Sequence, residues 1–306
     1  MIGRLLDTAM DRTVAPGYTN VGLAVRKRLP GWPADPEPGS MAGKQVIVTG
    51  ATSGLGTATA EGLAALGAHV HVVVRNPAKA AALDPSWSVW RCDVGDLDDV
   101  RRFTDEFLAA GVTVDAVVHN AGAMPPERTE SAQGHELTMS LHVLGPVLMT
   151  ERLRPALADG ARVVMVTSGG MYAQALRDDD PEYLKGDYSP TTAYARSKRA
   201  QVELLPLLER AWPGVHVYAT HPGWADTPGV QESLPTFRTV TKPFLRDAAG
   251  GADTTVWLAA VGPAPEGGGL WHDRRTRPTS MVRKTRPTEE QRERMWAWVR
   301  AQVGTT

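Results

Sequence analysis

The chain of 306 residues is long enough to bury a substantial core, either as one large domain or as two small ones. Its 42% hydrophobic and 22% charged residues are typical of a globular protein, and 33 basic against 34 acidic residues leave no basic footprint for nucleic acid. Cys92 is the single cysteine, which excludes an intrachain disulfide and a multi-cysteine metal site, and we predict no bound metal.

The expected location is the cytoplasm. A lone cysteine suits a reducing compartment. No apolar run approaches the about 18 residues that a membrane-spanning helix needs, so no transmembrane segment is predicted. Residues 1–12, MIGRLLDTAMDR, are too charged for a signal peptide.

An N-terminal arm at residues 1–29 precedes a linker at residues 30–43, whose prolines and glycines forbid regular structure. Helical spacing in the arm predicts an apolar stripe made of Leu5, Leu6, Ala9 and Met10. Residues 26–28 form a short basic cluster. We expect the arm to dock on the core of its own chain, and a weak contact with a membrane surface is the alternative.

Residues 44–306 alternate between short apolar runs and helical patterns. The predicted strands, each typical of a strand buried on both faces, are QVIVTG, AHVHVVVR, SVWRCDV, VDAVVHNAG, RVVMVTS and VHVYATHPG, with GGLWHDRR as a further candidate. The predicted helices between them are GTATAEGLAALG, DLDDVRRFTDEFLAAG, HELTMSLHVLGPVLMTERLRPALAD and TTAYARSKRAQVELLPLLERAWPG.

The closing segment, RPTEEQRERMWAWVRAQVG, is also helical in pattern, with Thr288 and Gln291 spaced as a capping box. Alternating strands and helices predict the α/β class. The expected architecture is a single domain with a doubly wound, mainly parallel sheet of Rossmann type, helices on both faces, and the N-terminal arm added to it.

The first predicted strand ends in TGATSGLG, residues 49–56, and a helix begins at once. Here Gly50 permits a tight turn, Gly54 lets a pyrophosphate approach the backbone, and Gly56 lets the helix pack on the strand. Free amides and the helix dipole then face the anion. We therefore predict a dinucleotide held by Gly50, Thr52, Ser53, Gly54, Leu55 and Gly56.

The end of the second strand indicates which dinucleotide is preferred. An acidic residue about 20 positions after the glycines holds the ribose 2′-hydroxyl of NAD(H). Val74 and Arg75 occupy this place instead, and an arginine pairs well with a 2′-phosphate. The sequence therefore favours NADP(H), with NAD(H) as the alternative. A solvated charge at a strand end is the other interpretation of Arg75.

The segment TAYARSKRA, residues 192–200, places Tyr194 and Lys198 four positions apart in a predicted helix, hence on one face. A nearby ammonium favours phenolate and lowers the pKa of a tyrosine from about 10, which makes a proton donor usable near neutral pH. In isolation the pair is a weak motif, because chance pairs on a surface helix have the same spacing.

Several motifs in a fixed order make the chain similar to the short-chain dehydrogenase/reductase family over residues 44 to about 275. TGATSGLG resembles the family's nucleotide loop, CDV its adenine contact, HNAG its motif at the sheet centre and YARSK its Tyr-x-x-x-Lys pair. HPGWADT resembles the segment after the sixth strand that meets the nicotinamide. TSGGMYAQAL, HPGWADTPGV, GADTTVWLA and GYTN are similar to one branch, dehydrogenase/reductase family member twelve.

The resemblance implies a role for each matching residue. Tyr194 is the expected general acid/base, Lys198 lowers its pKa and holds the nicotinamide ribose, and Ser168 binds the substrate oxygen. The implied cofactor contacts beyond the glycine turn are Asp93, Val94, Asn120, Ala121, Gly122, Tyr194, Lys198, Pro222, Gly223 and Thr227. The resemblance also implies a homo-oligomer.

His142 departs from the family pattern, which usually has an asparagine there that holds a water linking the lysine to solvent. An imidazole both donates and accepts hydrogen bonds, so His142 either replaces this relay or weakens it. A packed helix histidine is the third interpretation. If His142 serves the relay, an alanine there should cut turnover sharply with little change in cofactor affinity.

The expected function is NADPH-dependent reduction of a ketone or aldehyde, or oxidation of a secondary alcohol in reverse. Two alternatives stay open: a sugar-nucleotide epimerase or dehydratase that uses the same pair, and an NADP-binding sensor or scaffold that has lost turnover. A substrate lid is predicted at residues 223–251, since this segment is long and interrupted by prolines. An apolar, fairly bulky substrate is expected from Met171, Tyr172, Trp224, Leu234, Phe237 and Phe244.

Overall fold

The computed structural model describes residues 2–227, 231 and 235–304. Its strands are β1 (Gln45–Thr49), β2 (His69–Val74), β3 (Ser88–Arg91), β4 (Val114–His119), β5 (Leu157–Val166), β6 (Val215–Thr220), β7 (Gly269–His272) and β8 (Arg275–Arg277). Within the described residues these eight strands form one sheet in the order β3-β2-β1-β4-β5-β6-β7-β8. The further strand expected from GGLWHDRR is therefore present as β7.

The sheet is parallel except for the last pair, β7 and β8, which is antiparallel. β-branched side chains suit a sheet covered on both faces, and Val46, Val72 and Val117 are fully buried. The chain order reverses between β1 and β4, which are adjacent. A crevice lies at the carboxyl ends of the strands at such a reversal, where doubly wound proteins bind their ligands.

α-Helices lie before, between and after the strands. They are α1 (Ile2–Arg12), α2 (Ala15–Tyr18), α3 (Asn20–Arg28), α4 (Gly54–Ala65), α5 (Leu97–Ala109), α6 (Leu137–Met139), α7 (Gly145–Leu153), α8 (Pro190–Ala211), α9 (Pro235–Thr241), α10 (Ala248–Ala260) and α11 (Glu289–Val303). A π-helical turn, Ser140–Leu144, joins α6 to α7.

The helices cover both faces of the sheet. On one face, Phe103 of α5, Leu148 of α7 and Leu205 of α8 belong to one hydrophobic cluster. On the other face, Leu63 of α4 and Leu258 of α10 belong to a second cluster. The predicted α/β fold with a doubly wound sheet is confirmed, and this cover leaves the strand ends as the places where polar side chains reach the surface.

Two predicted elements differ from the structure. SVWRCDV is predicted to be buried on both faces, but β3 is the outer strand and alternates between partly buried and exposed positions. The helix predicted through PALAD ends earlier, because α7 ends at Leu153 and β5 begins at Leu157. Pro155 accounts for the early end, since its ring cannot continue the helical hydrogen bonds. The capping box of Thr288 and Gln291 is confirmed.

The N-terminal arm docks on the rest of the chain, but not through its predicted apolar stripe. Leu5 and Leu6 are 66% and 42% exposed, whereas Asp7, Asp11 and Arg26 are buried. The docking face of α1 is therefore acidic. Across the described ranges, none of the helices combines the length and hydropathy that crossing a membrane requires.

Candidate active site

The turn between β1 and α4 carries the predicted pyrophosphate contacts. Gly50 has a φ of 68°, in the left-handed region that favours glycine. Ser53 stands at the N-cap of α4, is exposed, and makes no side-chain cap hydrogen bond with any described residue. Thr52, Gly54 and Leu55 are partly exposed beside it. The turn thus presents a helix N-terminus and a hydroxyl to solvent, as anion binding requires.

Gly56 lies where no side chain fits. A Cβ there would come within 2.3 Å of the Gly50 carbonyl oxygen and 2.5 Å of Asn120 Nδ2. Asn120 Nδ2 itself donates to the carbonyl oxygens of Thr49 at 3.0 Å and Gly50 at 3.2 Å. Thr49 Oγ1 accepts from the amides of Asn120 and Ala121, at 3.0 Å each. Asn120 and Ala121 therefore brace the glycine turn.

Arg75 and Asp93 face each other beyond the ends of β2 and β3. The Arg75 side chain is 77% exposed, and its Nη1 lies 4.0 Å from Asp93 Oδ2. The carboxylate is held by the Gly95 amide, which donates to Asp93 Oδ1 at 3.0 Å. An exposed guanidinium therefore lies at the strand edge, close to a carboxylate. Val94, another predicted contact, buries its side chain in the hydrophobic core.

Ser168, Tyr194 and Lys198 come together at the end of β5. Ser168 follows this strand, and its side chain shares a hydrogen bond with Tyr194. Lys198 Nζ lies 5.6 Å from the centroid of the Tyr194 ring and donates to the Val166 carbonyl oxygen at 2.8 Å. Both residues lie on α8, so the helical spacing places them together as predicted.

The charge states of this pair differ from the expectation. Burial raises the pKa of Tyr194, and the hydrogen bond with Ser168 only partly offsets this rise. Burial also lowers the pKa of Lys198 to about 7. Both shifts have one physical cause, because the charged form of each group loses its hydration. The expected lowering of the Tyr194 pKa by Lys198 is therefore not found in this structure.

His142 lies on the π-helical turn, with its ring centroid 5.3 Å from that of Tyr194. Its Nε2 accepts from the Ala123 amide at 3.3 Å, so the proton is on Nδ1, which donates to Ser197 Oγ at 2.8 Å. Ser197 Oγ donates in turn to the carbonyl oxygen of Tyr194 at 2.9 Å. Gly122 lies against the ring, and a Cβ there would be 3.2 Å from Nε2.

Burial lowers the pKa of His142 well below its usual value, and the charge of Lys198 lowers it further. The ring is therefore neutral at physiological pH, with both nitrogens engaged by protein groups. A proton relay needs a ring nitrogen that can exchange its partner. This arrangement favours a role in holding α8 in place.

The segment after β6 holds the remaining predicted contacts. The Gly223 amide donates to His221 Nδ1 at 3.1 Å, and the Pro222 carbonyl oxygen accepts from Arg246 Nη1 at 3.3 Å. Thr227 is partly buried at the end of the segment. The backbone of residues 222–224 is thus fixed by hydrogen bonds at the carboxyl edge of the sheet.

The predicted lid is described only in part, because residues 228–230 and 232–234, with Leu234, and the side chain of Phe237 lie outside the described structure. Phe244 is 52% exposed and Trp224 is partly buried. Met171 is fully buried in the hydrophobic core. The expectation that it lines the substrate site is therefore wrong. Tyr172 Oη donates to the Pro278 carbonyl oxygen at 2.8 Å.

The residues present fit a dinucleotide. The glycine turn offers an exposed helix N-terminus, its close packing requires a glycine at position 56, and Arg75 offers an exposed cation at the adjacent strand end. Ser168, Tyr194 and Lys198 lie on the same edge of the sheet. Fold and site together define a doubly wound α/β protein of the dinucleotide-binding oxidoreductase class.

Comparisons with known proteins agree with this class. The sequence model described as short chain dehydrogenase matches residues 44–178. Dehydrogenase/reductase SDR family member 12 of Bos taurus is 35% identical, over 82% of this chain and 84% of its own. A Streptomyces protein described as a daunorubicin C-13 ketoreductase is 36% identical, over 79% and 87%. A crystal structure of a Mycobacterium Paratuberculosis protein, 28% identical, has a TM-score of 0.70 over 88% of this chain and 98% of that one.

The chain belongs to the short-chain dehydrogenase/reductase family and is an NAD(P)-dependent oxidoreductase. The expected likeness to the member-twelve branch is confirmed, since the human protein of that name is also 33% identical over 82% of this chain.

Two polar residues beside the site have no counterpart in the sequence predictions. Ser197 connects His142 to Tyr194, and Gln201 Nε2 donates to the His142 carbonyl oxygen at 2.6 Å. On α8, Ser197 lies three positions after Tyr194, and Gln201 lies three positions after Lys198. Their helical spacing from Tyr194 and Lys198 is the sequence signal that could have identified Ser197 and Gln201.

Proposed function

We propose that the protein is an NADPH-dependent carbonyl reductase, which in reverse acts as an alcohol dehydrogenase. One observation carries the proposal: the side chains of Ser168, Tyr194 and Lys198 converge at the carboxyl edge of the sheet that also holds the glycine turn. A carbonyl compound, which accepts the hydride, and Tyr194, which donates the proton, can meet at this edge. The Streptomyces relative described as a ketoreductase supports the same chemistry.

Two hydroxyl groups serve the carbonyl oxygen. When bound, the nicotinamide supplies the hydride, and the oxygen of the substrate gains negative charge. Ser168 and Tyr194 each donate a hydrogen bond to that oxygen. Tyr194 then gives up its proton as general acid. The raised pKa of Tyr194 keeps the phenol protonated at neutral pH, which is the state that a donor needs.

Lys198 and His142 act on the position of the donor. The Lys198 ammonium has three N–H groups, of which one donates to the Val166 carbonyl oxygen, and we assign the others to the nicotinamide ribose. His142 holds the backbone of Tyr194 through Ser197. In the proposed mechanism His142 stands where the family usually has the relay asparagine, and it acts as a neutral positioning residue and not as a relay.

The preference for NADPH rests on Arg75. Its guanidinium is exposed at the end of β2, where the adenosine ribose of a dinucleotide on the glycine turn would lie. A 2′-phosphate there gains charge-assisted hydrogen bonds from the guanidinium. Asp93 lies beside this cation but, at 4.0 Å, is too far from it for a hydrogen bond, so the guanidinium keeps its donors for a phosphate.

We propose an apolar ketone, aldehyde or secondary alcohol as the substrate. Trp224 and Phe244 belong to the predicted lid, and Phe244 is an exposed aromatic side chain. The test is NADPH oxidation against a panel of carbonyl compounds. We expect apolar ketones to be reduced faster than small charged ketoacids. A panel in which ketoacids win would overturn the substrate class, and no oxidation on any carbonyl would overturn the reductase.

The cytoplasm stays the proposed location, because Cys92 is buried and unpaired as in a reducing compartment. A homo-oligomer is proposed from the family resemblance alone. Sedimentation of the purified full chain tests it, since a monomer at micromolar concentration would contradict it.

A further inference from the structure

The N-terminal arm is joined to the site edge by buried charges. Arg26 Nη1 donates to Asp273 Oδ2 at 2.7 Å, and Arg246 Nη1 donates to Asp273 Oδ1 at 2.6 Å. The side chains of Arg26 and Asp273 are each 1% exposed. On the other side, Arg26 Nε donates to Asp7 Oδ1 at 2.7 Å, and Arg277 binds the same carboxylate. Paired charges buried to this extent fix the arm firmly, because separating them leaves unpaired ions.

The same network reaches the segment after β6. Arg246 Nε donates to the Tyr18 carbonyl oxygen at 3.0 Å, and the Trp224 amide donates to that oxygen at 2.8 Å. Arg246 Nη1 also donates to the Pro222 carbonyl oxygen at 3.3 Å. The backbone of this segment is therefore bound to the arm as well as to its own domain.

The Tyr18 ring contacts the loop that carries Ser168. Tyr18 is 2% exposed, and a Cβ on Gly169 would lie 2.9 Å from its Cε2 atom. The ring also meets His221 edge-on, with centroids 4.4 Å apart. Tyr18 Oη is buried and has no hydrogen-bond partner among the described residues. The Tyr18 ring, and not its hydroxyl, therefore packs between Gly169 after β5 and His221 after β6.

We propose that Tyr18 is a positioning residue of the active site. Through its ring it fixes the loop after β5, which holds the substrate-binding Ser168, and through its carbonyl oxygen it fixes the segment after β6, which would face the nicotinamide. This inference rests on the proposed reductase function for its kinetic part. The N-terminal arm thereby supports the active site, because it holds in place the loop after β5 and the segment after β6, which flank the reacting groups.

Substitution of the ring is the first test. Tyr18→Ala is expected to lower kcat by about 10- to 100-fold, because loose placement of reacting groups costs rate. The Kd of NADPH should change by less than about threefold, since the glycine turn is untouched. Tyr18→Phe should behave as the parent protein, because the ring and the carbonyl oxygen stay. Leu5→Ala, at an exposed position of the same arm, is the matched control.

Hydrogen exchange supplies a readout that does not depend on activity. In the full chain without ligand, Tyr18→Ala should speed exchange of the Trp224 amide by about tenfold or more, because without the packed ring the carbonyl of residue 18, which the variant keeps, is no longer held against that amide; Tyr18→Phe should leave the exchange unchanged. Unchanged exchange in a folded Tyr18→Ala protein would overturn the inference. If the parent protein reduces no carbonyl, the reductase proposal fails, whereas the exchange result still decides the role of Tyr18.

A paired substitution covers the case in which Tyr18→Ala fails to fold. Gly169→Ala pushes a methyl group against the Tyr18 ring and should lower kcat by itself. Tyr18→Leu, which removes the ring but fills part of its volume, should make Gly169→Ala harmless. If Gly169→Ala costs the same rate in both backgrounds, the ring does not position the Ser168 loop, and the inference is wrong.

Discussion

Burial sets the charge state of both groups on α8 that face the proposed chemistry. Lys198 is 2% exposed, and its pKa is lowered to about 7. The pKa of Tyr194 is raised by the same loss of hydration. At neutral pH the phenol therefore holds its proton, while the amine is close to the midpoint of its titration. In the ligand-free protein, Tyr194 is therefore already in the protonated state that a proton donor needs.

This shift at Lys198 predicts a pH-dependent stability. Below about pH 7 the folded and unfolded chains both hold the proton, so the cost of the buried charge is full. Between pH 7 and 10.5 only the unfolded chain holds it, so the free energy of unfolding rises with pH. The slope from this group is at most about 1.4 kcal/mol per pH unit.

Urea unfolding of the ligand-free protein at pH 7, 8 and 9 measures this slope. Other groups titrate in the same range, so the quantity of interest is the difference between the parent protein and Lys198→Met. We expect the parent to gain stability relative to the variant as the pH rises. Parallel curves for the two proteins would show that the Lys198 pKa is not lowered.

Arg75 carries a prediction about cofactor choice. Arg75→Ala should weaken NADPH binding by about tenfold or more, the loss expected for a charge-assisted hydrogen bond to a phosphate. NADH binding should change little, because NADH has no 2′-phosphate. Lys79→Ala, another exposed cation a few positions along the chain, is the control. Fluorescence titration with both nucleotides checks this, and equal losses for both would contradict the proposed preference.

At the scale of elements, the junction of β1 and α4 depends on close contact between backbones. Gly56→Ala should destabilise the protein by about 1–3 kcal/mol and weaken NADPH binding, because its Cβ meets the Gly50 carbonyl oxygen and the Asn120 amide. At Gly62, also on α4, the nearest atoms to an added Cβ belong to the Val256 side chain. Gly62→Ala should therefore keep binding. Thermal melting and nucleotide titration measure both effects, and intact binding in Gly56→Ala would refute the assignment of the turn.

The strands and helices were largely predictable because each has a simple period. Buried runs of valine indicate strands covered on both faces, and they identify β1, β2, β4, β5 and β6. The predictions fail where the neighbouring elements, and not the local sequence, decide how exposed a strand is or how a helix is wound. SVWR has a strand composition, yet only its place at the sheet edge leaves it half exposed. The π-helical turn that places His142 has no sequence period of its own.

The site was predictable to the extent that motifs fix the local backbone. The glycine turn and the i, i+4 pair on α8 determine where Gly56, Tyr194 and Lys198 lie. The pKa values of the pair were not predictable, because hydration depends on what packs around each group. The ring nitrogens of His142 likewise find partners, the Ala123 amide and Ser197, that only the folded chain brings together.

At the scale of the whole molecule, the arm is held by charges that the sequence separates widely. Arg26 binds Asp273, 247 positions away, and both are buried. Local periodicity gives no information about such a pair and indicates only the apolar stripe of Leu5, Leu6, Ala9 and Met10. Together with Asp7, Asp11, Arg246 and Arg277, the buried part of the network contains three cations and three carboxylates, and the less buried Arg275 lies 3.8 Å from Asp7. This balance allows polar groups to form a docking face.

The central claim is that Tyr194 donates the proton in a nicotinamide-dependent reaction. Tyr194→Phe tests it most directly, because only the hydroxyl is removed. With a carbonyl compound that the parent protein reduces, the variant should bind NADPH with unchanged affinity and turn over at least about 100-fold more slowly. Carbonyl reduction by Tyr194→Phe at the rate of the parent protein would contradict the account.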